Sequence, residues 1–88
     1  MTDQIDGKTD LEKSRDIISQ LKEMQHYSTT NIEKLGGFWI LLDDELKQKE
    51  NAKKVEMLLN HQHAFHDALE SMVSDYEIEC NRIENETP

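Results

Sequence analysis

Eighty-eight residues, 35% apolar and 33% charged, make one domain at most. The 19 Asp and Glu outweigh the 10 Lys and Arg to give a net charge of −9, which argues against direct contact with DNA, RNA or an anionic membrane, where Lys and Arg supply the affinity. No apolar run approaches the roughly 20 residues of a membrane span. The start Met1-Thr2-Asp3-Gln4-Ile5-Asp6 is acidic where a secretory signal is basic and then apolar. The single cysteine forms no internal disulfide, and no Cys/His spacing resembles a zinc site, so a reducing, cytoplasmic setting is expected. A core this small is worth only a few kcal/mol once about 60% burial is set against chain entropy, which makes self-association an expectation.

Residues 1–8, with Asp3, Asp6 and Gly7, read as a flexible tail ahead of a single helical domain over 9–84, and residues 85–88 as a second tail. All three glycines precede residue 38 and the single proline is Pro88, so positions 38–87 contain no strong helix breaker. Val occurs only at 55 and 73, and no alternating strand pattern is present. The fold class is therefore all-α.

Thr9 or Asp10 can cap the first helix, with Glu12 suited to its positive end. From there the apolar residues keep a seven-residue repeat. One row is Leu11, Ile18, Gln25, Ile32, Trp39 and Leu46, and the other is Ser14, Leu21, Ser28, Leu35 and Leu42. This is a coiled-coil-like seam with a polar interruption at Gln25 and Ser28, widened on one side by Ile17, Met24 and Phe38. Lys47-Gln48-Lys49-Glu50-Asn51 is wholly polar, and the seam resumes beyond it in another phase. Its rows are then Val55, Gln62, Leu69, Tyr76, Ile83 and Leu58, Phe65, Met72, flanked by Leu59, Val73 and Cys80. The phase change predicts helices over about 10–47 and 52–84 joined by a turn over 48–51, with Asn51 as N-cap of the second.

Near-equal arms favour a long antiparallel helical hairpin, dimerising into a four-helix bundle. The alternative is a three-helix arrangement broken at Gly36-Gly37, since two glycines cost a helix about 2 kcal/mol relative to alanine. The seam nevertheless keeps its phase across them. With the turn near residue 49, Gln25 faces residue 73, and Gln62 meets the Gly36-Gly37 backbone. Gln25, Ser28 and Gln62 are then the polar residues that fix register or oligomer state.

Two surfaces carry the functional expectation. The side chains of Phe38, Trp39, Ile40, Leu41 and Leu42, at 100° per residue, point all the way round the helix. One antiparallel neighbour covers only one side, so Ile40 and Leu41 stay exposed in a lone hairpin. This belt, with Leu46, is the expected interface for a second copy or another protein, anchored by Phe38 and Trp39. The second surface is acidic: residues 67–88 carry seven acids against Arg82 alone. Asp67, Glu70, Asp75, Glu77, Glu79 and Glu84 form the expected face toward a partner protein of basic character, or serve solubility alone.

Catalysis, cofactors and metals are not expected. His61, His63 and His66 with Asp67 and Glu70 have some helical spacing in common, as has Glu23-Met24-Gln25-His26, but His63 and Glu23 fall away from the seam and only His66 borders it. Cys80 sits among Glu77, Glu79 and Glu84, which makes it a poor nucleophile. The sequence thus reads as a small acidic protein–protein interaction module, an adaptor, regulator or chaperone-like factor of bacterial or phage type, acting as a homodimer. The competing reading is an inhibitor that imitates nucleic acid with its acidic face.

Overall fold

In the computed structural model, which describes residues 9–86, the chain folds back once on itself. Helix α1 spans Asp10–Ile40, a wider π-type turn follows over Leu41–Glu45, and helix α2 spans Lys49–Glu86. Among the described residues there is no strand. The molecule is an antiparallel helical hairpin, about 57 Å long at 1.5 Å per residue of α2.

Thr9 starts α1 with a capping box. Its Oγ1 accepts from the Glu12 amide at 3.1 Å, while its own amide donates to Glu12 Oε1 at 3.0 Å, so two donors of the open first turn are satisfied together. The helix then runs through Gly36 and Gly37 without a break. A β-carbon at either glycine meets nothing within 4 Å, so among the described residues no neighbouring backbone uses the space they leave. The three-helix alternative is not adopted, because the seam on both sides of the glycines is already engaged with α2.

The reversal falls earlier and is tighter than the polar run alone indicates. The Leu46 amide donates to the Leu41 carbonyl at 2.9 Å and the Gln48 amide to the Leu42 carbonyl at 2.8 Å. Lys47 turns the chain with φ at 55°, in the left-handed region. Lys49 Nζ donates to the Asp43 carbonyl at 3.2 Å and to its Oδ1 at 3.0 Å, closing the negative end of α1. The turn is therefore 46–48 rather than 48–51. Asn51 lies inside α2 and bonds the Gln48 side chain at 2.9 Å instead of capping the helix. Asn85 and Glu86 continue α2, with Arg82 Nη1 donating to Glu86 at 2.8 Å. The expected tail over 1–8 and the last two residues, 87–88, lie outside the described residues.

Moving the turn moves the register by about one helical turn. Gln62 pairs with Ser28, not with the glycines. Both rows of α1 face α2 as the repeat requires, with Ile18 and Ser28 buried. On α2 one expected row is inward (Val55, Gln62, Leu69, Tyr76), but the second inward row is Ala52, Leu59, His66, Val73 and Cys80. Leu58, Phe65 and Met72 are exposed. Two helices approach closely where small residues stand between them, and Ala52 and Cys80 permit this at the two ends of the seam as Leu58 and Phe65 do not. The core is correspondingly slight: Ile18, Leu69, Val73 and Cys80 form its buried cluster, with Leu11, Leu21 and Tyr76 packed against it.

Candidate functional site

Two helices side by side form a layer with two open faces, and here the faces differ in chemistry. On one, a seven-residue row of α1 brings Arg15 and Lys22 toward the row of α2 that holds Glu77 and Glu84. Arg15 Nη2 lies 2.6 Å from Glu84 Oε1 and 3.2 Å from Asn81 Oδ1, and Lys22 Nζ lies 2.7 Å from Glu77 Oε2. Charge closes that face across the helix–helix boundary.

The other face is apolar. Ile17, Met24 and Phe38 of α1 recur at sevens or multiples of seven, as do Leu58, Phe65 and Met72 of α2, and all six are between 45% and 56% exposed. That the two rows share a face is shown by a groove of about 430 Å3, in which Asn31, Leu35 and Phe38 stand opposite Leu58 and Gln62, with Lys34 and His61 at its rim. Among the described residues nothing covers this strip.

The belt expected over residues 38–42 is divided by this arrangement. Trp39 and Leu42 lie half-buried on the seam, Phe38 joins the apolar face, and Ile40 and Leu41 point outward, 59% and 42% exposed. Leu46 is exposed at the turn. The acidic set is likewise spread around α2. Glu70, Glu77 and Glu84 share the charged face, Glu79 continues the row of Phe65 and Met72, and Asp67 and Asp75 lie on the outer side. Leu58, Phe65 and Met72 were legible as apolar residues at heptad spacing, yet reading them as core concealed their exposure. A signal that separates core from surface here is the pairing of the charge rows, Arg15 and Lys22 with Glu77 and Glu84, which meet when α2 is rotated this way.

Between the two faces sits a polar layer. Ser28 is buried, its Oγ accepting from Gln62 Nε2 at 2.9 Å with His66 Nδ1 at 3.2 Å. No buried side-chain nitrogen or oxygen among the described residues lacks a hydrogen-bond partner. His66 is thus a seam residue bonded to Ser28, while His61 and His63 are exposed. Among the described residues no three His, Cys, Asp or Glu side chains gather where they could hold a metal ion. Cys80 is free and completely buried. No helix among the described residues is long and apolar enough to cross a membrane.

The fold and its faces define a two-helix antiparallel hairpin with one ion-paired and one uncovered apolar face. No protein-family model, curated protein or solved structure matches the chain.

Proposed function

We propose that the protein is a small acidic interaction module that works as a homodimer and without catalysis, in a cytoplasmic setting. The observation that carries this reading is the uncovered apolar face of Ile17, Met24, Phe38, Leu58, Phe65 and Met72. A hairpin whose buried cluster is four residues gains stability by covering that face, since exposed strips of this length mark association surfaces. Glu77 and Glu84 are engaged by Lys22 and Arg15. The acids off the apolar face and left for a basic partner protein, to which they lend on-rate and salt sensitivity, are Asp67, Glu70 and Asp75, whereas Glu79 stands on the row of Phe65 and Met72.

Light scattering behind a sizing column, over a range of concentrations, tests the reading. The expected particle has twice the 10.3 kDa chain mass. A particle of single-chain mass at all concentrations overturns the homodimer.

A further inference from the structure

We infer that the occupant of the apolar face is the same face of a second copy, laid antiparallel, so that the turn of each hairpin lies beside the open end of the other. The inference rests on the homodimer reading above and adds the surface and the direction.

Extent comes first. Taking roughly 200 Å2 for a large apolar residue fully in water, six half-exposed side chains leave about 600 Å2 of this face open in each copy. Two copies together then bury about 1,200 Å2, the lower edge of what stable interfaces use. The groove between Phe38 and Leu58 offers a recess for a side chain from the other copy.

Direction follows from position along the rod. At 1.5 Å per residue from Lys47, Phe38 and Leu58 lie about 15 Å from the turn and Ile17 about 45 Å. The strip is therefore centred near 30 Å, beside Ala68, and reversing it lays it upon itself. Phe38 of each copy meets Ile17 of the other, Phe65 meets Met72, and Asn31 meets Met24. Glu79, at the acidic end of the row, arrives opposite Leu58, one turn from Lys54. Ala68 stands between Phe65 and Met72 on the exposed side of α2 and lies at the twofold axis, where a small side chain lets the two α2 helices approach.

Charge selects the same direction. Residues 9–23 and 71–86, at the open end, carry nine acids against four bases, whereas residues 33–60, around the turn, carry six acids and five bases. A parallel pair sets one strongly acidic end beside another. The antiparallel pair sets each beside a nearly neutral one.

Ala68→Cys tests both surface and direction with a short bismaleimide cross-linker, His63→Cys on the charged face serving as the comparison and peptide masses identifying the joined residues. Residue 68 approaches its own mate only in the antiparallel pair; in a parallel pair the α2 helices are diagonal. Expected is a covalent dimer as the main product of Ala68→Cys and none from His63→Cys, on particles whose light-scattering mass is doubled. A doubled mass with no joining at residue 68, or with joining at residue 63, overturns the surface or the direction and leaves the homodimer standing. A single-chain mass overturns both.

Discussion

The carboxamide of Gln62 on α2 donates to the hydroxyl of Ser28 on α1 at 2.9 Å, and His66 approaches the same oxygen at 3.2 Å. These groups interrupt rows that are otherwise largely apolar, and Ser28 is almost wholly out of water. A slip of the helices by one turn leaves the hydroxyl and the carboxamide without each other, which a buried polar group does not tolerate cheaply. The layer is thus a register key.

Removing the hydroxyl alone destabilises the hairpin. Ser28→Ala is expected to cost about 1 kcal/mol, the low end for orphaned polar groups because Gln62 and His66 are only half-buried. Thermal unfolding followed by circular dichroism reads this as a fall of several degrees. Replacing the layer with apolar groups, Ser28→Ala with Gln62→Leu and His66→Leu, is expected to hold or raise stability while losing uniqueness. More than one set of amide signals in an NMR spectrum of the triple variant is the expected sign. A single sharp set would show that register is held elsewhere.

Lys47 has a left-handed backbone, φ 55°, at the centre of the reversal. A residue with a β-carbon pays about 1–2 kcal/mol there and glycine pays almost none. The Lys47–Asp44 ion pair, 3.8 Å between side chains that are 70% and 78% exposed, offsets little of that. Lys47→Gly is therefore expected to stabilise the protein by about 1 kcal/mol, after subtracting the added freedom of the unfolded chain. Unchanged or lowered stability in a denaturant titration would mean that the Lys47 side chain contributes more than its exposed pair with Asp44.

Gly36 and Gly37 stand inside a continuous helix with open space around them. Gly36→Ala and Gly37→Ala are each expected to add about 0.5–1 kcal/mol, since alanine favours the helix and a new methyl meets no neighbour. The same melts measure it. A loss of stability on adding either methyl would reveal a second chain pressed against this segment, which the charged-face position of Gly36 does not call for in the pairing inferred above.

Much of this arrangement was legible in the sequence, and the misses share one cause. The all-α class, the two rows of α1, the cap narrowed to Thr9 or Asp10 and the passage through the glycines follow from local rules, although Gly36-Gly37 alone also allowed a break and only the unbroken phase of the seam argued against it. The turn position, the α2 row and the extent of the belt depend on how one helix is rotated against the other. Counting apolar residues favours Leu58, Phe65 and Met72 for the seam because they are large, whereas close approach favours Ala52 and Cys80 because they are small. Asn51 looked like a cap because its type suits one, but the chain reverses at Lys47, so α2 has already begun when Asn51 is reached.

The ion-paired face supplies the remaining prediction, and it bears on what orients α2. Lys22 and Glu77 meet at 2.7 Å and Arg15 and Glu84 at 2.6 Å, with side chains from 38% to 59% exposed. Water screens such pairs, so each is worth about 0.2–1 kcal/mol. Their effect on orientation is larger than that figure implies, because the opposite rotation of α2 sets these bases beside apolar residues and strands the acids. Lys22→Glu places a carboxylate against Glu77 and is expected to lower stability by about 1 kcal/mol, and Glu77→Lys against Lys22 by a similar amount. The exchange of both restores the attraction and is expected to recover most of the loss, as a double-mutant cycle measures. At about 1 M salt, where the screening length falls to roughly 3 Å, the single variants are expected to draw closer to the original chain. Single-variant losses that persist in the exchanged protein and ignore salt would show that the Lys22 stem packs on α2 rather than pairing with Glu77, and would leave the rotation of that helix to the seam alone.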